Sequence, residues 1–286
     1  MRIHLITGEK GGVGKSQVAL AFIAFYTTQN RPLVICEADR SNGDVGRATD
    51  GKDGHTIIYP HFTENTDHID KADSMLDAVL TQHSDAIVNC PAQAHRAIVQ
   101  WISQGSADLA IEEGIQFCFW FVTSGEYDSV ALFLQSLKEF PTIPHVLVRN
   151  AFFTDRLTYD YSGPLRSKDL KKAIDGHRVP VIELPRFMPS DLDFIKAHAL
   201  SFTEAIQNKG LTIAARSRVK RALDHFFTQL TPLEVLTNEP TAHTREGTLD
   251  TNDSTPGESG AETTGKSTRG KKRSRKSASV ESACPL

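Results

Sequence analysis

Cysteine is scarce in this chain. Cys36, Cys90, Cys118 and Cys284 are its four, scattered and with no Cys-x-x-Cys pair. That spacing argues against a disulfide framework and against the common zinc ligand sets. Three of the four lie in apolar, strand-like runs, where reduced and buried thiols belong. No stretch approaches the roughly 18 apolar residues of a membrane span, and the opening MRIHLITGEK lacks a long apolar core of the signal-peptide kind. A cytoplasmic protein that makes no use of a membrane is therefore expected. Net charge is small too, −3 over 286 residues. No whole-protein field points to nucleic acid, so any such binding must come from local patches. The eleven histidines form no His-Glu-x-x-His or similar ligand spacing, and no Gly-x-Ser-x-Gly elbow is present. The commonest zinc-hydrolase and serine-esterase signatures are thus missing.

What remains has the makings of an ordinary core, with 39% hydrophobic and 23% charged residues, enough for one large α/β domain. Short apolar runs recur at 3–7, 32–38, 85–90, 115–123, 143–150 and 179–185. They are largely apolar throughout rather than alternating, as strands buried on both faces should be. Helical patterns fill the intervals, from SQVALAFIAFYTTQ after the first run to a last helix at about 212–230. This alternation predicts a doubly wound, mostly parallel sheet. Composition changes near residue 238, beyond which large apolar residues almost vanish. A domain over 1–237 followed by a disordered tail over 238–286 is expected. The tail is acidic over 246–262, whereas KSTRGKKRSRK (266–276) carries seven cations and no acid. That cluster reads either as an arm for DNA or a partner, or as a solubilising tail.

Residues 8–16 read GEKGGVGKS, placed between the first apolar run and the first helical pattern. The ordinary phosphate loop is G-x-x-x-x-G-K-[ST]. Gly14-Lys15-Ser16 ends it correctly, but the opening glycine should stand where Glu9 is, and Gly8 comes one residue early. Strand, glycine loop and helix are nevertheless the right context. Loop amides would face phosphates, Lys15 would reach the β- and γ-phosphates, and the Ser16 hydroxyl would bind Mg2+. A second lysine, Lys10, precedes the paired glycines, where this chemistry does not need one.

The run Lys10 to Ser16, K-G-G-x-G-K-S, resembles the deviant Walker A motif of the ParA/MinD family of ATPases, a pattern that asks for no glycine at position 9. The resemblance covers about residues 1–235 and implies a P-loop NTPase domain. It makes Gly11, Gly12, Val13, Gly14, Lys15, Ser16 and Gln17 the phosphate-binding set for ATP with Mg2+. It also implies that Lys10 acts in trans on the nucleotide of a second subunit, across an ATP-bridged homodimer. After the second apolar run the family carries D-x-D-P, and this chain reads Glu37-Ala38-Asp39-Arg40. Asp39 would then position the attacking water near Mg2+, with Asp44 as the alternative, and 40–46 would be a switch segment. The family's later D-[TC]-P-[PA] reads Asn89-Cys90-Pro91-Ala92, so its acid is an amide here. A neutral amide holds a magnesium-bound water less strongly than a carboxylate does. Slow hydrolysis is the expectation, with Asn89→Asp keeping or raising turnover. Asn150 matches the residue that reads the adenine edge, and Pro185 and Arg186 match the loop against the base.

Within the family the chain looks most like a plasmid StbB/TraL-like subgroup. This implies an ATPase of plasmid partition, stability or conjugative transfer, partnered by a plasmid-encoded DNA-binding or transfer protein. An ATP-gated scaffold with little hydrolysis is the alternative. A redox role would need cluster-bridging cysteines in loops, and Cys36 and Cys118 lie within strands. Arg216, Lys220 and Arg221 share one region of the last helix. They form either a nonspecific DNA-binding patch or an ordinary solvated face.

Overall fold

The computed structural model describes residues 1–8, 10–154 and 168–236. The chain divides into two units, Met1–Pro240 and Thr241–Leu286. The second unit, and with it the expected tail and its basic cluster, lies outside the described residues, as does Glu9.

Among the described residues seven strands form one sheet: β1 (Arg2–Thr7), β2 (Leu33–Glu37), β3 (Thr56–Ile58), β4 (Asp85–Asn89), β5 (Gln116–Thr123), β6 (His145–Asn150) and β7 (Val181–Leu184). Their order is β3-β2-β4-β1-β5-β6-β7, and every pairing is parallel. Among the described residues the α-helices are α1 (Lys15–Thr28), α2 (Asp44–Thr49), α3 (Ser74–Gln82), α4 (His95–Trp101), α5 (Asp108–Glu112), α6 (Tyr127–Glu139), α7 (Lys168–His177), α8 (Pro189–Ala197), α9 (Phe202–Gln207) and α10 (Ile213–Leu230). None of them is long and apolar enough to cross a membrane.

Helices on both faces explain the unbroken apolar runs, because a covered strand has no wet side. On one face α1 and α10 pack on Ile6, Ile35, Trp120 and Val148. On the other, α3 and α4 cover Leu5, Val34, Val88 and Phe119. Helices α6 and α7 close over Phe121 and Leu147. Cys36, Cys90 and Cys118 are buried with free thiols, and burial pushes the Cys90 and Cys118 thiols up to about 12. They are inert packing groups at neutral pH.

A one-directional polar chain threads the α1 face. Trp120 Nε1 donates to His4 Nδ1 at 3.0 Å. His4 Nε2 therefore carries the proton, and it faces Tyr26 Oη at 3.3 Å. Tyr26 in turn donates to Asp85 Oδ2 at 2.9 Å, and Arg31 donates to the same oxygen at 3.0 Å. Buried polar groups are tolerated only when partnered in this way.

The structure adds elements that periodicity did not predict. β3 has only three half-buried residues. α2, α5, α8 and α9 have six, five, nine and six residues. After α8 the chain turns and starts α9 on a capping box. Ser201 Oγ accepts from the Glu204 amide at 3.2 Å, and the Glu204 carboxylate accepts from the Ser201 amide at 2.8 Å.

Candidate functional site

The loop from β1 to α1 runs at the carboxyl edge of the sheet, where ligands of doubly wound folds bind. Two glycines are there because neighbours leave no room. A Cβ on Gly8 would lie 2.5 Å from the Val122 carbonyl oxygen on adjacent β5. A Cβ on Gly14, whose φ is +102°, would lie 2.4 Å from Asn150 Nδ2. Asn150 ends β6 and is buried. Its Nδ2 donates to the Val13 carbonyl at 2.8 Å, and its Oδ1 accepts from the Phe152 amide at 3.0 Å. The residue expected at the adenine edge thus clasps the phosphate loop in this structure.

Lys15, the first residue of α1, is buried, and its Nζ donates back to the Lys10 carbonyl at 3.3 Å. The first turn of α1 has no side-chain cap and no acid. Its amides are open to an anion, and the helix dipole favours one there. Gly11 and Gly12 are exposed, Val13 is buried, and Ser16 and Gln17 are half-buried. Lys10 points the other way. It is 56% exposed and ion-paired with Glu126, which precedes α6.

The acidic side of the site is built on β2 and β4, which pair with Glu37 opposite Asn89. Glu37 is buried. Its Oε1 accepts from Asn89 Nδ2 at 2.8 Å and from the Asp39 amide at 3.2 Å, and its Oε2 accepts from the Gly46 amide at 3.0 Å. Burial pushes the Glu37 carboxyl above the usual range, against the pull of these hydrogen bonds. Asn89 Nδ2 also faces Ser16 Oγ at 3.3 Å, while Asn89 Oδ1 is buried with no hydrogen-bond partner. Asp39 Oδ1 accepts from the amides of Ser41 at 3.0 Å and Asn42 at 3.2 Å, holding the turn that leads into 40–46, the segment expected as a switch. Glu37 and Asp39 line a cleft of about 580 Å³ with Arg40, Gly43, Tyr59, His61 and Lys71. Asp44, the alternative to Asp39, is instead tied to Arg47 and to Lys196 of α8, the latter at 2.7 Å.

Two residues after Asn150, the Phe152 ring centre lies 5.9 Å from the Arg186 guanidinium. Phe152 is 37% exposed, and neighbouring Pro185 is half-buried.

The chain is similar to MobD and TraL. Protein MobD of Acidithiobacillus ferrooxidans is 25% identical over 225 residues, 77% of this chain and 92% of MobD. Protein TraL of Escherichia coli is 23% identical over 252 residues, 82% of this chain and 99% of TraL. No family model matches the chain. Among solved structures, the septum site-determining protein MinD of Pyrococcus horikoshii with Mg-ADP covers 78% of this chain and 95% of its own, at 16% identity and a TM-score of 0.48. The MinC:MinD complex of Aquifex aeolicus covers 82% and 99%, at 12% identity and a TM-score of 0.47.

The structure joins Asn150 to the loop at Val13 and Ser16 to Asp39 by way of Asn89 and Glu37, while Arg186 stands over Phe152, two residues after Asn150. Three participants were not singled out as site residues from sequence: Glu37, Glu126 and Phe152. Glu37 was visible only as a departure from D-x-D-P. An aromatic two residues after Asn150 was a readable signal for Phe152. Glu126 carries no local signal at all.

Proposed function

We propose that this chain is a nucleotide-switched ATPase that dimerises across ATP and acts in plasmid partition, stability or conjugative transfer. The observation that carries the reading is the loop itself. The uncapped start of α1 carries the buried Lys15 and the Ser16 hydroxyl side by side, and Asn89 and Glu37 link Ser16 to the switch segment 40–46. The similarity to TraL and MobD supports the plasmid setting.

The residues fit a magnesium ion. The Ser16 hydroxyl, the unpartnered Asn89 Oδ1 and the Asp39 carboxylate are the hard oxygen donors that Mg2+ takes, directly or through water. When bound, the ion supplies charge neutralisation on the phosphates. Lys15 does the same for the β- and γ-phosphates from within the subunit. Asp39 orients the attacking water. Phe152 and Arg186 offer a platform for the base. Lys10 is exposed and held by Glu126, a surface pair worth at most about 1 kcal/mol, so it is readily exchanged for the phosphates of a second subunit. The partner beyond the homodimer is a plasmid-encoded DNA-binding or transfer protein. A second reading is a scaffold that closes on ATP and barely hydrolyses it, and the neutral Asn89 favours it over a fast enzyme.

Light scattering coupled to sizing tests the reading. ATP with Mg2+, but not ADP, should double the mass. Lys10→Ala should stay monomeric while still binding nucleotide, and Lys15→Ala should lose binding. An ATP-loaded protein that remains monomeric, or a Lys10→Ala dimer equal to that of the unmodified chain, would refute the trans arrangement.

A further inference from the structure

Arg40, His61 and Lys71 line one cleft at the end of β2 and β3. Arg40 stands where the family that the sequence resembles has proline. Among the described residues, Arg40 and Lys71 enter no ion pair and no side-chain hydrogen bond, and both are exposed. His61 is half-buried, with Nδ1 enclosed and without a hydrogen-bond partner. The charges that bear on its ring are those of Arg40, Lys71 and His68, each positive. Burial and these neighbours hold the ring below its ordinary value. Glu37 and Asp39 line the same cleft, but backbone amides already draw on both carboxylates.

The three residues stand on pinned backbone. The His61 amide donates to the Lys71 carbonyl at 3.2 Å, which sets these two side by side. His61 lies between Pro60 and Phe62, both buried, and the Phe62 ring meets Trp101 edge-on at 5.9 Å. Arg40 opens the turn that Asp39 Oδ1 holds. Tyr59 lies over α2, where a Cβ on Gly46 would come 3.2 Å from its ring. The place is not the phosphate loop. His61 follows β3, which is three strands from β1 in the sheet, and at about 4.8 Å per strand that separation is about 14 Å.

We infer that Arg40, His61 and Lys71 form a second anion site, for a phosphate dianion, free or carried as a monoester. Two permanent charges neutralise a dianion, and the His61 ring adds an N–H or a third charge. A carboxylate or a nucleic-acid phosphodiester carries one charge and leaves a cation unused. The cleft of about 580 Å³ is of small-ligand size, with room for the rest of a monoester beside Tyr59. This site goes beyond the nucleotide-binding reading and does not depend on it. Arg40 is also the first residue of the segment expected as a switch, so an occupied site ties that segment to the end of β3.

The test follows the His61 ring signal by NMR in the full chain carrying isotope-labelled histidine, with His61→Gln assigning it. Inorganic phosphate is added at constant pH and ionic strength, and the signal should shift to saturation. Arg40→Ala and Lys71→Ala, both at exposed positions, should each weaken the apparent affinity about tenfold or more, the worth of a charge-assisted hydrogen bond. Lys15→Ala should leave the His61 response intact, which separates this cluster from the phosphate loop. Acetate should bind at least about tenfold more weakly than phosphate. O-phosphoserine distinguishes the sources: tighter binding than phosphate assigns a monoester, and weaker binding assigns free phosphate. The inference is overturned by an unmoved His61 signal with both compounds, or by a response that Arg40→Ala and Lys71→Ala leave unchanged. Acetate binding as tightly as phosphate overturns it too, as does a response lost in Lys15→Ala, which would place the anion at the phosphate loop.

Discussion

Asn89 Nδ2 donates to Glu37 Oε1 at 2.8 Å across the β2–β4 pairing. Each, taken singly, departs from the acidic pattern of the family that the sequence resembles. Together they are a matched pair, one charged acceptor against one neutral donor. Two carboxylates in contact in a buried site repel, and one must hold a proton. An amide at position 89 removes that conflict, its Nδ2 donating to Glu37 and facing Ser16 Oγ.

This contact reverses what the amide at position 89 alone suggests for Asn89→Asp. Rather than keeping or raising turnover, the substitution sets two carboxylates against each other. Without metal at neutral pH, it should lower stability by about 2–3 kcal/mol. The deficit should shrink as pH falls, because the pair then takes up a proton in the folded state more readily than in the unfolded one. Urea unfolding at pH 7.5 and pH 5.5 in EDTA measures it. Equal stability at the higher pH would show that the pair does not matter.

Gly14 and Asn150 should be coupled. Gly14→Ala adds a Cβ 2.4 Å from Asn150 Nδ2 at a φ of +102°, so it should cost about 1–3 kcal/mol and weaken nucleotide binding. Asn150→Ala removes the Val13 clasp and should cost about 1 kcal/mol. In the double variant the clash is gone and only the backbone strain remains, so the losses should sum to less than their total. Additive losses in thermal unfolding would refute the coupling.

These cases mark where the sequence was legible. The strands could be read because burial on both faces leaves an unbroken apolar run. β3 could not, because three half-buried edge residues carry no such signal. α2 is too short to establish a helical period, yet it carries Gly46, one of the donors to Glu37. The capping box Ser201-x-x-Glu204 was readable locally. The phosphate loop was readable as a motif, but the need for Gly8 arises from the Val122 carbonyl on β5. The Glu37–Asn89 and Lys10–Glu126 contacts depend on strand order, and local pattern does not encode which strands become neighbours.

Acid should weaken the fold through histidine before it reaches most carboxylates. Burial pushes His4 down to about 3 and His145 down to about 4 from an ordinary 6.5. Their folded values lie below their unfolded ones, so the stability they contribute is present above pH 6.5 and is lost as pH falls toward the folded values. Each contributes a slope of at most about 1.4 kcal/mol per pH unit. Glu37, raised by burial, works in the opposite sense over its own window. His4→Gln isolates one group. Between pH 6.5 and 5, urea unfolding should show a slope about 1 kcal/mol per pH unit shallower than in the unmodified chain. Parallel slopes would mean that His4 is not held neutral by its place between Trp120 and Tyr26.

DNA binding, if direct, must use a small number of cations, and the structure narrows which. On α10, Arg218 is committed to Asp191 by two hydrogen bonds of 2.9 and 2.8 Å, and Lys220 pairs with Asp224 at 2.6 Å. Arg221 is exposed and Arg216 is half-buried. The helix can therefore offer only a few phosphate contacts, and Lys220 must give up Asp224 to make one. The seven cations of 266–276 should dominate, and dimerisation should strengthen binding by doubling the contacts. Log affinity should fall linearly with log salt, by about 0.9 per phosphate contact on duplex DNA. Removal of residues 238–286 should flatten that slope more than replacing Arg216, Lys220 and Arg221 with Glu. Two unrelated duplexes should bind alike, since phosphate contacts carry no base information. A salt titration of the ATP-loaded protein decides the matter. A slope unchanged by the deletion would move the contact to α10, and no binding at low salt would leave recruitment through a partner protein as the route to DNA.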